Sequence, residues 1–183
     1  MITNINTPEY WDGAWAKHAG VYRMDAQRHQ SARYMAGLVS PGATVLDIGG
    51  GLGLVADCLA EKADVTVLDF SEYALQQLAE RGYKTIWADL SKYEGPQFGA
   101  YDVAICTDLL EHLDEPWRAV QCAYDHAQRA IFAVPNNCMG PDSCKQHLRT
   151  YTREELQEQL SLWPNVRIEP EPVGFDLIAE VWK

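Results

Sequence analysis

Residues 44–53 read TVLDIGGGLG, a short apolar run followed by glycines. The β-branched and aliphatic side chains of residues 44–48 predict a buried strand. Glycines directly after a strand let the backbone turn tightly or approach a ligand without a Cβ in the way, and parallel sheets bind their ligands at this carboxyl edge. We therefore expect this loop to bind a ligand, although glycine-rich turns also end strands for purely steric reasons. The loop glycines are Gly49, Gly50, Gly51 and Gly53.

The spacing of these glycines separates two kinds of nucleotide site. The dinucleotide fingerprint G-x-G-x-x-G, counted from Gly49 and Gly51, requires a third glycine at position 54, where Leu54 stands. The spacing fits D-x-G-x-G-x-G instead, with Asp47 in the first position and Gly53 in the last. A nucleotide-dependent oxidoreductase is therefore disfavoured, and it is kept only as an alternative.

Strand-like and helix-like segments alternate after this loop. Alternation of this kind is typical of an α/β fold, in which helices cover a doubly wound parallel sheet. We expect a single domain over residues 1–183, with a helical cap at 1–40 and an α/β core at 41–183. Two further strands are expected in 166–182, joined across Pro170, Pro172 and Gly174. The predicted strands are 44–48, 64–68, 84–87, 101–106 and 130–134, and the predicted helices are 52–61, 71–81, 115–128 and 152–160.

Acidic residues stand at the tips of the next two strands. Asp69 ends the second strand and precedes Phe70, and Asp89 follows the third strand and precedes Leu90. A carboxylate at the tip of the second strand can accept hydrogen bonds from both ribose hydroxyls of an adenosine, and Asp89 can accept one from an adenine amine. Each has a plainer alternative: Asp69 can cap the following helix, although Ser71 can do so as well, and Asp89 can be a turn residue. The glycine loop and the carboxylates at the ends of the second and third strands together predict a nucleoside pocket.

The segments VLDIGGGLG, VTVLDFS, ADL, YDVAICTDLLEHL and AVPNN, followed by HLRTYTREEL, resemble the class I S-adenosylmethionine-dependent methyltransferases of small-molecule type. The resemblance covers about residues 40–160 and implies a Rossmann-like seven-stranded sheet whose last strand is antiparallel. It implies S-adenosyl-L-methionine as cofactor, with its methionine part near Asp47 and the glycine loop, its ribose near Asp69 and its adenine near Asp89. Thr107 and Asp108 would line the methyl-donor side. The first 40 residues show no equally specific match, so the acceptor is not carried over. The implied cofactor contacts are Asp47, Gly49, Gly50, Gly51, Gly53, Asp69, Phe70, Asp89, Leu90, Thr107 and Asp108.

Methyl transfer from a sulfonium is an in-line displacement, and an oxygen or nitrogen acceptor usually has to lose a proton as well. His112 titrates near neutrality in its unperturbed form and is the first candidate base, although it can equally pack the loop or line the cofactor. Residues 136–149 form a long loop of the kind that often binds ligands, in which His147 and Arg149 can touch an acceptor. Cys138 and Cys144 with His147 would give three ligands at unusual spacing, so no metal is expected.

Trp11 and Trp15 lie four residues apart and therefore on one face of the predicted cap helix. An aromatic ring near the sulfonium would gain cation–π attraction, so these residues are candidate cofactor contacts. The alternative is ordinary packing of the cap onto the sheet.

The charge of the chain limits its partners. It carries 26 acidic and 15 basic side chains, a formal charge of −11, which disfavours binding to the phosphates of a nucleic acid. No stretch reaches the roughly 20 apolar residues that span a bilayer, and five cysteines without a C-x-x-C pair suit a reducing cytoplasm. We expect a cytoplasmic monomer or homodimer that methylates a small-molecule acceptor. A non-catalytic domain that binds S-adenosylmethionine or its product is the other alternative.

Overall fold

The computed structural model describes residues 4–136, 140–172 and 176–183. Asn137, Cys138 and Gly174, which belong to predicted loops, lie outside these ranges. Within the described ranges the chain forms six helices and seven strands. The helices are α1 (Pro8–Met24), α2 (Ala26–Gly37), α3 (Leu54–Leu59), α4 (Glu72–Glu80), α5 (Trp117–His126) and α6 (Arg153–Gln159), and the strands are β1 (Thr44–Ile48), β2 (Asp64–Asp69), β3 (Lys84–Trp87), β4 (Tyr101–Thr107), β5 (Ala127–Pro135), β6 (Asn165–Pro170) and β7 (Asp176–Trp182).

The strands of the described chain form one seven-stranded sheet in the order β3-β2-β1-β4-β5-β7-β6. The strand β1 pairs in parallel with both β2 and β4, so the order reverses beside β1. The strand β7 is antiparallel to both β5 and β6. This topology confirms the predicted Rossmann-like doubly wound sheet with an antiparallel last strand. In such sheets the ligand-binding crevice lies at the carboxyl end of the strand where the order reverses.

The central strands are apolar because both faces of the sheet are covered. Successive side chains of β1 point to opposite faces. Leu46 and Ile48 therefore join the apolar cluster around Phe132, and Val45 joins the cluster on the other face with Leu59. All five side chains are fully buried. This packing fixes the position of the loop that follows Ile48.

Element boundaries differ from the predictions for identifiable reasons. The helix predicted at 52–61 is shorter, because Gly53 stands before it with a left-handed φ of 79° and α3 begins at Leu54. The strand predicted at 130–134 extends over Ala127–Pro135, since it pairs with strands on both sides. The predicted capping box of α6 is present, with Thr152 and Glu155 bonding reciprocally. β1 and β3 have the predicted bounds.

The helical cap predicted for the first 40 residues is present as α1 and α2. Asp12 anchors α1 to the start of α4, where its carboxylate accepts hydrogen bonds from Ser71 Oγ (2.6 Å) and the Tyr73 amide (3.1 Å). Met35 of α2 is buried in the same cluster as Leu54 and Val55 of α3. The cap therefore lies over the carboxyl edge of β1 and β2. No helix among the described residues is long and apolar enough to cross a membrane.

Candidate functional site

The glycine loop is held tightly against the second strand. The Gly49 amide donates to the carbonyl of Leu68 at 2.7 Å. A Cβ on Gly50 would lie 2.6 Å from Val67 Cγ1 and 2.7 Å from Asp47 Oδ2, closer than any side chain tolerates. Gly50 is thus required by the close approach of the loop to buried neighbours.

Asp69 ties the tips of β1 and β2 together. Its two carboxylate oxygens accept hydrogen bonds from the amides of Gly51 and Ser71, each at 2.8 Å. Ser71 itself caps α4 by accepting from the Ala74 amide at 3.1 Å, so the alternative of Asp69 as that helix cap is not needed. Burial raises the pKa of Asp69, against the lowering effect of its amide donors. The carboxylate is held in one orientation by main-chain groups.

Asp89 has the turn role that the sequence offered as the plainer alternative, and it also lines a cavity. It caps a short 3₁₀ helix by accepting from the Ser91 amide at 3.0 Å, and it pairs with Lys92 Nζ at 2.8 Å. Partial burial opposes ionisation, but the hydrogen bonds from Lys92 and Ser91 prevail and lower the pKa of Asp89. It is therefore a turn residue that also carries a negative charge at the edge of a cavity.

Two adjoining cavities open at this edge of the sheet. We call the first, of about 390 Å³, the strand-tip cavity; its lining includes Gly49, Asp69, Phe70, Asp89, Leu90 and Asp108. We call the second, of about 660 Å³, the acidic cavity; its lining includes Asp47, Gly49, Gly50, Thr107, Asp108, Glu111, His147 and Asp176. Both cavities are also lined by Trp11, Trp15 and His112. The shared lining makes them two ends of one cleft. Gly51 and Gly53 do not line either cavity and shape the loop instead.

Buried carboxylates dominate the acidic cavity. Asp47 and Glu111 are each 1% exposed, and neither carboxylate has a hydrogen-bond partner among the described residues. Burial, with the neighbouring Asp69 carboxylate, raises the pKa of Asp47 to about 7. Burial, with Asp108 nearby, raises the pKa of Glu111 well above its usual range. A positive charge beside these groups would favour their ionised forms, so the cavity suits a cationic occupant.

Asp108 lies where the two cavities meet, at the end of β4. Its φ of 48° is in the left-handed region, which a non-glycine residue adopts at a cost in free energy and often at a functional site. Its carboxylate lies 3.4 Å from Arg28 Nη1, an ion pair that both partners leave about 40% exposed. The guanidinium of Arg28 lines the acidic cavity and supplies positive charge there.

The buried surroundings of His112, the first candidate base, oppose protonation of its ring. The side chain is 9% exposed, and burial lowers its pKa to about 4, against the raising effect of the Gln146 carbonyl. Its Nδ1 lies 3.0 Å from this carbonyl oxygen, which can only accept. Nδ1 therefore carries the proton of a neutral ring, and the lone pair is on Nε2. A group with this pKa is a weak proton acceptor at pH 7.

The two other residues expected at the acceptor side have different positions. His147 is 5% exposed, lines the acidic cavity and packs edge-to-face on His112 with 4.8 Å between ring centroids. Arg149 lines neither cavity, because its Nη2 donates to the carbonyls of Leu113 (2.8 Å) and Asp114 (3.0 Å). The structure thus brings His147 to the cleft and gives Arg149 a role in holding the main chain.

Trp11 and Trp15 of α1 are neighbours on one helix face, as their spacing predicts, and both line the cleft. The rings of Trp11 and Trp15 are 5.2 Å apart, and Trp11 packs edge-to-face on His112 at 5.2 Å. A Cβ on Gly51 would lie 3.0 Å from Trp15 Cζ2. The cap therefore touches the glycine loop on one side and the residues after β4 on the other.

We call the side chains of Asn6, Trp11 and Gln146 the roof of the cleft. Asn6 and Gln146 were not among the residues that the sequence indicated. Asn6 Nδ2 donates to the carbonyls of His112 (3.0 Å) and Gln146 (2.8 Å). Its Oδ1 accepts from Trp11 Nε1 at 3.1 Å, and Gln146 Nε2 donates to the hydroxyl of Tyr10 at 2.6 Å. Isolated amide side chains carry no spacing signal, so no pattern in the sequence could have indicated them.

Comparison with known proteins gives the site its family context. A family model described as a methyltransferase domain matches residues 46–129. Ubiquinone biosynthesis O-methyltransferase of Nitrosomonas europaea is 36% identical over 90 residues, which cover 44% of this chain and 37% of the relative. The chain thus spans little more than a third of the length of this curated relative.

Solved structures share the fold at low sequence identity. A possible histamine N-methyltransferase of Thermotoga maritima superposes with a TM-score of 0.73 at 14% identity, covering 94% of this chain and 99% of that one. Magnesium protoporphyrin IX methyltransferase of Synechocystis, solved with bound S-adenosylhomocysteine, has a TM-score of 0.66 at 17% identity, covering 85% and 83% of the two chains. The matched methyltransferase domain agrees with the methyltransferase resemblance of the sequence, and the solved structures show that the fold is shared.

Proposed function

We propose that this chain binds S-adenosyl-L-methionine in the cleft and transfers its methyl group to an oxygen or nitrogen of a small molecule. One observation carries the proposal: two cavities meet at the carboxyl ends of β1, β2 and β4, within a span that matches a methyltransferase domain. One cavity can take a nucleoside and the other an acceptor. A shared boundary is what direct transfer between two bound molecules requires.

The strand-tip cavity suits the adenosine part of the cofactor. Asp69 is held there by two amides and would accept hydrogen bonds from the ribose hydroxyls. Asp89 and Leu90 lie in the same lining, together with Phe70, and would contact the adenine. Hydrogen bonds to a charged group contribute about 1.5–3 kcal/mol each. Asp69 should therefore dominate recognition of the nucleoside.

The methionine part and the sulfonium would lie toward the acidic cavity. Asp47 and Gly50 line that cavity, with Thr107 and Asp108 at the end of β4. The carboxylates complement a ligand with a positive sulfonium and an ammonium group. Trp11 and Trp15 line both cavities, where a ring near the sulfonium would add cation–π attraction.

The acceptor would occupy the remainder of the acidic cavity. A volume of about 660 Å³ is in the range of small-molecule sites. Catalysis would rest mainly on holding the acceptor in line with the methyl carbon, since orientation alone lowers a barrier by roughly 7–11 kcal/mol in the best cases. His112 and His147 would contact the acceptor or its neighbours. The small-molecule acceptor, the lack of a nucleic-acid partner, the monomer or homodimer and the cytoplasmic location stay predictions.

Calorimetric titration with S-adenosylhomocysteine tests the cofactor assignment. Asp69→Asn should weaken binding by about tenfold to a hundredfold, because one charged acceptor of the ribose is lost. Asp64→Asn is the matched control: Asp64 begins the same strand at the opposite edge, where it pairs with Lys84 on the surface. Equal affinity of both variants for the product would refute the assignment.

Activity is tested separately from binding. Incubation with methyl-labelled cofactor and a panel of small phenols, alcohols and amines should give a labelled product that Asp69→Asn forms poorly at limiting cofactor. Tight cofactor binding without transfer to any acceptor would favour the non-catalytic alternative.

A further inference from the structure

Three potential metal ligands converge in the acidic cavity. They are the carboxylate of Glu111 and the imidazoles of His112 and His147, all buried, and their ligand atoms lie within 4.8 Å of one another. His112 Nε2 is 3.9 Å and His147 Nε2 is 4.0 Å from Glu111 Oε1. Ligand atoms around one ion with bonds of 2.0–2.2 Å are separated by about 3 to 4 Å. Small side-chain adjustments would therefore let one ion reach all three.

The fold fixes this convergence, which does not depend on flexible surface groups. Glu111 and His112 belong to a 3₁₀ turn directly after β4. The Leu148 amide donates to the carbonyl of Glu111 at 2.7 Å, which brings the loop carrying His147 alongside. Asn6 then bridges the carbonyls of His112 and Gln146. Three segments distant in sequence thus hold the three side chains together.

The burial of Glu111 is a second observation that points to a cation ligand. It is 1% exposed, and neither carboxylate oxygen has a hydrogen-bond partner among the described residues. A buried carboxylate without hydrogen bonds is strongly disfavoured. The nearby cation Arg28 pairs with Asp108 at 3.4 Å, and Glu111 instead faces two histidine nitrogens. A bound cation would satisfy the oxygens that the protein leaves without partners.

His112 is already arranged as a ligand. Its Nδ1–H donates to the Gln146 carbonyl at 3.0 Å, which fixes the ring and leaves the lone pair on Nε2, the atom that lies 3.9 Å from Glu111 Oε1. A backbone carbonyl that accepts from the far nitrogen is the usual companion of a metal-binding histidine.

We propose that Glu111, His112 and His147 bind one divalent first-row transition-metal ion, such as Zn²⁺, Co²⁺ or Mn²⁺, in the acidic cavity. Two imidazoles with one carboxylate suit these ions, whereas Mg²⁺ and Ca²⁺ prefer sets made of oxygen. The site differs from the three-ligand set of Cys138, Cys144 and His147 that the sequence analysis set aside.

The position of the ion suggests a role, which rests on the proposed methyl transfer. Three protein ligands leave coordination positions for an acceptor hydroxyl, and the ion would lower its pKa as it does for bound water. The hydroxyl proton would pass to water, and an oxygen lone pair would form the bond to the methyl carbon. The carbon–sulfur bond would break with its electrons going to sulfur. The acceptor would then be a hydroxyl compound, and His112 would be a ligand and not a base.

Titration of the chelator-treated full chain with CoCl₂ tests the site. We expect one Co²⁺ per chain, with visible absorption of an ion bound by nitrogen and oxygen. Glu111→Gln and His147→Gln should each lower the affinity at least tenfold, since a direct ligand is lost. Glu158→Gln, an exposed substitution on α6, is the control and should bind Co²⁺ as the wild type does.

Thermal melting separates loss of a ligand from loss of the fold. ZnCl₂ should raise the melting temperature of the wild type and of Glu158→Gln but not that of Glu111→Gln. Without metal, Glu111→Gln should melt at or above the wild-type temperature, because it removes a buried carboxyl without partners. Failure of the wild type to bind Co²⁺, or unchanged affinity in Glu111→Gln, would overturn the proposal.

Titration with S-adenosylhomocysteine in metal-free buffer distinguishes the two proposals. Product binding without any Co²⁺ site would remove the metal and leave the proposed function. A Co²⁺ site without product binding would leave the metal site and remove the proposed function.

Discussion

The two sides of the cleft are built in different ways. On the strand-tip side, main-chain amides of the loops that follow β1 and β2 hold Asp69, and a glycine at position 50 allows close packing. On the roof side, the side chains of Asn6, Trp11 and Gln146 reach across from distant segments. The first side depends on the sheet itself. The second depends on particular side chains. Substitutions there can therefore change which ligand binds without changing the fold.

The substitution with the largest expected effect lies on the strand-tip side. Gly50→Ala places a methyl group 2.6 Å from the buried Val67 Cγ1, so we expect about 3 kcal/mol of lost stability from overpacking. Cofactor binding should be lost with it. Urea denaturation measures the change.

Gly13→Ala provides the control for Gly50→Ala. Gly13 lies within α1, and a Cβ there meets no atom within 4 Å. Alanine should stabilise this helix by up to about 1 kcal/mol. Equal stability of the two variants would contradict the close packing at the loop.

A pH dependence of stability should sharpen the comparison on the strand-tip side, at Asp47. The pKa of Asp47 is about 7 when folded, against an ordinary value of 3.8. Between these values the folded protein holds a proton that the unfolded chain has released, so stability falls as the pH rises from about 4 to 7, by at most about 1.4 kcal/mol per pH unit. Asp47→Asn should remove this contribution. Its stability relative to the wild type should therefore rise between pH 4 and pH 8, by at most about 4 kcal/mol.

Urea denaturation of the ligand-free protein at the two pH values measures the Asp47 effect. Asp64→Asn, at an exposed carboxylate, is the control and should follow the wild type. If the unfolding free energy of Asp47→Asn changes with pH as that of the wild type does, the carboxyl of Asp47 does not have the raised pKa.

The smallest effect should come from the roof. Asn6→Ala removes the donor shared by the His112 and Gln146 carbonyls, at a cost of about 1 kcal/mol. Hydrogen exchange should accelerate at residues 111–112 and 146–148, while the amides of 49–51 keep their protection. Equal acceleration of exchange at residues 49–51 would show that the glycine loop and the roof are not held independently.

The strand-tip side could be predicted because its signals are local. The spacing from Asp47 to Gly53 and the position of Asp69 after an apolar strand indicate the same edge of the sheet, and the bounds of β1 and β3 followed from short β-rich runs. A parallel sheet brings such tips together whatever lies between them in the chain.

The roof could not be predicted because it depends on tertiary contacts. Burial of His112 lowers its pKa, and burial cannot be obtained from its sequence neighbours. The guanidinium of Arg149 is held by the carbonyls of Leu113 and Asp114, which no spacing indicates. Glu111 and His147 are separated by a helix, a strand and a loop, so their proximity becomes visible only in the folded chain.

A crystal structure of the chain with S-adenosylhomocysteine tests the central claim most directly. We expect the ribose hydroxyls within hydrogen-bond distance of Asp69, the adenine beside Leu90, and the sulfur where the two cavities meet near Asp108. A nucleoside bound at any other edge of the sheet, or an Asp69 carboxylate with no contact to it, would contradict the account.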